Sequence, residues 1–205
     1  MRIGLGTFVA GIVSLAVLGA QAAAASCGAG YGYAGLEGAA PAGGIAATVA
    51  ALTDPSVEAG HVAAWVGVGG YGLGPGGTDE WLQVGVATRA RGTSGLYVEW
   101  KTPHHRSRYV DLPGGVAPGA AHRLTVVEQI GRGGVWQAFV DGTAVGPRVV
   151  LPGSHSRFDP VVVAESWDGG QASCNRFAYR FGQIAVESPS GAWAPLGTVY
   201  KIVNP

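Results

Sequence analysis

The chain has 205 residues with 13 basic and 13 acidic side chains, so its formal net charge is zero, and charged residues make up only 13% of it. That balance excludes a sequence-independent nucleic-acid binder, which needs surplus Lys and Arg to displace counterions. Hydrophobic residues at 47% exclude a disordered chain and leave one compact domain with a substantial core as the expectation.

At the N-terminus Arg2 precedes the uncharged apolar stretch Ile3–Leu18 and the small-residue run Ala20-Gln21-Ala22-Ala23-Ala24-Ala25-Ser26. A short positive region, an apolar middle and an Ala-x-Ala site read as a secretory signal peptide over residues 1–25. Residues 26–205 are then a single exported domain, with no membrane contact after cleavage. In an oxidising compartment the two cysteines, Cys27 and Cys174, can form a disulfide that closes most of the mature chain into one loop. Two cysteines are too few for a structural zinc site.

Beyond the signal, apolar runs of strand length alternate with Gly, Pro and Asp. The predicted strands are Ile45–Leu52, Val62–Val68, Trp81–Ala87, Gly95–Lys101, His122–Glu128, Val135–Asp141, Val145–Leu151, Pro160–Trp167, Phe177–Glu187 and Thr198–Val203. Turn chemistry marks Leu112-Pro113-Gly114-Gly115, Gly131-Arg132-Gly133-Gly134, Asp141-Gly142 and Asp168-Gly169-Gly170, and Asp141-Gly142 carries a hairpin signal. No segment shows sustained helical periodicity. Short strands at this spacing predict an all-β fold, an antiparallel β-sandwich or barrel.

Side chains on a strand alternate between faces. Val62, Ala64, Val66 and Val68 share one face and Trp65 takes the other. Leu82, Val84 and Val86 oppose Trp81 and Gln83, while Leu96, Val98 and Trp100 oppose Tyr97, Glu99 and Lys101. Val162 and Ala164 likewise oppose Glu165 and Trp167. Four strands thus present an aliphatic face for the core and a second face mixing aromatics with carboxylates and an amide. The second face reads as a groove that binds a polymer.

Nucleophile and metal motifs are absent: there is no Gly-x-Ser-x-Gly elbow, no phosphate-binding loop and no His-Glu-x-x-His pair. His61, His104, His105, His122 and His155 have no zinc-ligand spacing, so neither a metal nor a cofactor is expected. Carboxylate and amide chemistry remains.

Four blocks in order resemble the glutamic peptidases, or eqolisins. Ala64-Trp65-Val66-Gly67-Val68-Gly69-Gly70 resembles their Trp-Val-Gly-Ile-Asp-Gly strand, and Leu82-Gln83-Val84-Gly85-Val86 is similar to their Leu-Gln-Thr-Gly strand. Tyr97-Val98-Glu99-Trp100 resembles Trp-Tyr-Glu-Trp, and Val163-Ala164-Glu165-Ser166-Trp167 resembles the Asn-Ala-Glu strand. The resemblance covers about residues 46–187 and implies a divergent, bacterial-type member. It implies a concanavalin A-like, jelly-roll-type sandwich of two curved sheets, with Gln83 and Glu165 as the catalytic dyad of a secreted endopeptidase. Trp65, Trp81, Tyr97 and Glu99 would then line the groove for a polypeptide substrate, in a monomer. The sequence departs from the family at Gly69, where an Asp is expected, and at Tyr97, where a Trp is. Two further readings stay open: a β-sandwich glycosidase using Glu99 and Glu165, and a non-catalytic, lectin-like binding module in which the aromatics stack on the ligand.

Overall fold

A computed structural model describes residues 20–28 and 30–204. Of the signal peptide expected over residues 1–25, residues 1–19 lie outside the described residues, while residues 20–25 form part of a strand of the fold. In chain order the strands are β1 (Ala20–Gly28), β2 (Tyr31–Gly38), β3 (Gly44–Ala51), β4 (His61–Gly70), β5 (Glu80–Arg89), β6 (Gly95–Lys101) and β7 (Arg108–Gly115). They continue as β8 (Ala121–Glu128), β9 (Val135–Val140), β10 (Thr143–Val150), β11 (Pro160–Trp167), β12 (Ser173–Glu187), β13 (Trp193–Pro195) and β14 (Val199–Asn204). One sheet runs β1-β12-β3-β8-β9-β10 with β13 added on β12, and the other runs β14-β2-β11-β4-β5-β6-β7. Neighbours within each sheet are antiparallel. The architecture is a two-sheet antiparallel sandwich.

The ten predicted strands all form, and Asp141-Gly142 closes the β9–β10 hairpin. Four strands lack a strong sequence signal: β1, β2, β7 and the short β13. The expected turn at Leu112-Pro113-Gly114-Gly115 is instead the end of β7, where the register with β6 shifts between the Gly95–Gly115 and Tyr97–Asp111 pairs. Because β7 is an edge strand, the missing N–H of Pro113 breaks no ladder on its open side. The Pro-Gly signal therefore produces a bulge on an edge, not a chain reversal. At the opposite sheet's edge, β1 lies along β12 with Cys27 opposite Cys174. Residues paired in this way have Cα atoms about 4.5–5.5 Å apart, a separation that suits a disulfide.

The aliphatic faces meet as the alternation requires. Val62, Ala64, Val66, Leu82, Val84, Val98 and Val162 of one sheet pack on Ile45, Val49, Leu124, Val126, Trp136 and Phe181 of the other, and all are buried. Each buried aliphatic side chain contributes roughly 1.5–3 kcal/mol by leaving water. Trp136 brings a polar atom into this core, and its Nε1 donates to Ser154 Oγ at 2.7 Å. With the inner faces committed to the core, the outer face of the β4–β5–β6–β11 region is free to carry chemistry.

Candidate active site

The outer face is built by register. On β4 and its neighbours, Glu165 pairs with Tyr33 and Ala63, Trp65 pairs with Val163 and Gly85, and Gly67 pairs with Gln83. Gln83 pairs in turn with Glu99, and Gly85 with Tyr97. Small residues thus stand between large ones and leave a depression. At Gly85 a Cβ would sit 2.7 Å from the Tyr97 ring and 2.8 Å from Trp65 Cβ, so only glycine lets the two aromatics flank this point.

The depression is a cavity of about 280 Å³ lined by Trp65, Trp81, Gln83, Glu99 and Glu165, with Tyr31, Tyr33 and Tyr71 around them. Five of the six residues expected at the groove therefore line one cavity. The sixth, Tyr97, does not: it is 1% exposed and stacked under Tyr109 of β7 at 4.7 Å between ring centroids. Tyr97 cannot offer a surface to substrate, and instead braces Gln83, its hydroxyl accepting from Gln83 Nε2 at 3.1 Å.

The polar groups are held individually. Gln83 is 9% exposed, and its Nε2 donates to Tyr97 Oη and, at 3.3 Å, to Glu99 Oε2. Glu165 is 8% exposed; its Oε2 accepts from Trp65 Nε1 at 3.1 Å and its Oε1 pairs with His61 Nε2 at 2.9 Å. Gln83 and Glu165 therefore share the cavity through different partners. Burial, followed by the Glu165 charge, pushes the Glu99 carboxyl up to about 7. Burial and then the same charge also raise the Tyr33 hydroxyl. The nearby cations are engaged: Arg89 pairs with Asp111 at 3.1 Å and lies over the Tyr109 ring, and Lys101 pairs with Asp79 at 3.3 Å. The cavity is thus aromatic in its walls and acidic at its centre.

Gly69 also lines the cavity, and its backbone explains why no acid stands there. Its φ is +83°, and a Cβ would lie 2.3 Å from the Glu80 carbonyl oxygen and 2.9 Å from Trp81 Cα. An aspartate at this position requires β5 to move away from β4.

Sequence reasoning missed Tyr31, Tyr33 and His61. Tyr31 and Tyr33 are two residues apart, as one strand face demands, but they sit in a Gly- and Ala-rich segment too weak to read as a strand. His61 lies one residue before the predicted strand Val62–Val68 and shares the Trp65 face by period two. Extending that strand by one residue brings it into the site. Among the described residues no group of three or more His, Cys, Asp or Glu is placed to hold a metal ion.

Among solved structures, the chain is similar to Scytalido-glutamic peptidase with a peptide-based transition state analog, at TM-score 0.56 and 18% identity, over 86% of this chain and 89% of that chain. It is also similar to an eqolisin-family peptidase in complex with the tripeptide Ala-Ile-His, at TM-score 0.55 and 19% identity, over 86% of this chain and 89% of that one. At such identities the likeness is one of fold. No protein-family model matches the chain, and no curated protein sequence matches it.

Proposed function

We propose that this chain is a secreted hydrolase of peptide bonds, with Glu165 as general base and Gln83 as the amide that orients water and binds the developing oxyanion. The observation that carries the reading is that Gln83, Glu99 and Glu165 line one aromatic-walled cavity, each fixed by named hydrogen bonds. The peptide-based transition state analog named with the similar glutamic peptidase supports the choice of substrate class.

The chemistry follows from what each group has left to offer. A carboxylate has about four lone-pair sites, and among the described residues those of Glu165 meet the Trp65 and His61 nitrogens, so an attacking water can also be held. Glu165 takes a proton from that water as it adds to the carbonyl carbon, then returns it to the departing amine. Both Nε2 hydrogens of Gln83 are occupied in the free site, so binding an oxyanion requires exchange of one bond. The Glu99 contact, at 3.3 Å, is the longer of the two and the one to yield. A donor aimed at the developing oxyanion is worth up to about 2.7–4 kcal/mol in the transition state, less the cost of releasing the Glu99 contact. The aromatic walls formed by Trp65, Trp81 and Tyr71 would hold apolar side chains of an extended peptide. With export, as expected from the N-terminal sequence, that substrate would be extracellular.

A peptide with a tetrahedral isostere at the scissile bond tests the reading directly. It should bind more tightly than its parent peptide, because catalysis requires preference for the transition state, and Gln83→Ala should erase the difference. Equal binding of isostere and parent by the wild type would contradict it.

One observation favours a second reading. Glu99 and Glu165 face the same cavity, and Glu99 is held protonated up to about 7, as the acid of a glycosidase must be. Release of reducing sugar from oligosaccharides, lost in Glu99→Gln but retained in Gln83→Ala, would select it.

A further inference from the structure

We infer that His61 is a positioning residue for Glu165: its imidazole fixes the carboxylate that acts in the cavity. The inference rests on the role proposed for Glu165 above.

The geometry comes from the ladder. Glu165 stands opposite Ala63 on β4, and Ala63 carries only a methyl group. His61 and Trp65, two residues to either side of Ala63 on the same face, reach across that gap and take one carboxylate oxygen each. His61 Nε2 pairs with Oε1 at 2.9 Å, and Trp65 Nε1 donates to Oε2 at 3.1 Å. Two donors on two oxygens fix the plane of the carboxylate, which one alone would leave free to turn. The imidazole is itself braced, against Trp167 at 5.5 Å between ring centroids and edge-on to Tyr31 at 6.5 Å. His61 does not line the cavity, so it acts through Glu165 and not on the substrate.

The protonation logic is simple. A carboxylate can only accept, so the bond requires a proton on Nε2. An imidazolium carries one there always, and in a neutral ring the contact with the carboxylate selects the tautomer that carries it there. The other groups facing the pair are Tyr31 and Tyr33 on β2, Tyr97 and Glu99 on β6, and Arg89 on β5, which is opposite His61 in the ladder but paired with Asp111.

The test compares wild type, His61→Leu and His61→Gln on one peptide substrate. Removing a hydrogen bond to a charged group should lower kcat about 10–100-fold in His61→Leu, with KM nearly unchanged. His61→Gln, whose amide can also donate to the carboxylate, should recover most of kcat. Wild-type kcat in His61→Leu would overturn the inference. A readout independent of turnover is the downfield Nε2 proton resonance of His61 in NMR spectra, expected in wild type and lost in Glu165→Gln. Ring resonances unchanged by Glu165→Gln would also overturn it. If the resonance behaves as expected but wild type cleaves no peptide, the peptidase reading fails and the His61–Glu165 pair stands.

Discussion

Gln83 and Glu165 are the two side chains on which the proposed chemistry depends, and their surroundings determine what substitution should do. Removing the Gln83 amide takes away a donor aimed at developing charge, so Gln83→Ala should lower kcat by about 10²–10³ with little change in melting temperature. Gly69 tests a different point. Its positive φ and the 2.3 Å approach to the Glu80 carbonyl mean that Gly69→Asp should not restore a missing acid but should destabilise the fold by about 2 kcal/mol or more; thermal melting checks this. At this scale the sequence was informative about direction and silent about depth. Period two assigned Trp65, Trp81, Gln83, Glu99 and Glu165 to the correct face. It assigned Tyr97 there as well, but could not reveal that Tyr109 lies over it. The covering residue comes from β7, the strand concealed by a turn-like Leu-Pro-Gly-Gly segment.

Among the elements, β5 shows how one strand can serve the core, the site and a loop together. Leu82 and Val84 face the core, Trp81 and Gln83 face the cavity, and Glu80 at its start is fully buried with both carboxylate oxygens unpartnered. Burial pushes Glu80 up to about 7 from an ordinary value of 4.5. The folded chain thus holds a proton that the unfolded chain releases, so stability should fall as pH rises from about 4.5 through 7. Glu80→Gln should remove that dependence: it should melt higher than wild type near pH 8, by about 2–4 °C for each kcal/mol recovered, and converge with it near pH 4. Strands such as β4, β5 and β11 were legible because β-branched and aliphatic residues recur over a full strand length between Gly- and Asp-bearing breaks. Strand β2 was not, because its alternation is carried by glycine, alanine and two tyrosines, and its partners β11 and β14 stabilise it in place of local propensity.

For the whole molecule, the sandwich separates stability from chemistry, with the core between the sheets and the cavity on an outer face. Leu82→Ala should therefore cost about 2–5 kcal/mol of stability while leaving the cavity lining chemically intact, a contrast that denaturant unfolding and peptide cleavage measured on one sample would resolve. The Cys27–Cys174 register across β1 and β12 leads to a further expectation: reduction should lower the melting temperature, with an upper limit of about 5 kcal/mol from loop closure. Sandwich architecture was readable from strand count and turn spacing, whereas the order of strands was not, because neighbours such as β11 and β4 are far apart in sequence. Their contact, which brings Glu165 to Trp65 and His61, is a property of the assembled sheet. The most direct test of the account is cleavage of an unfolded protein by the purified chain across pH 2–8, with Glu165→Gln as the paired control and new N-termini identified by mass spectrometry. The account predicts cleavage by wild type and a loss of about 100- to 10,000-fold in Glu165→Gln at unchanged melting temperature. Cleavage that persists in folded Glu165→Gln, or none from folded wild type at any pH, would contradict it.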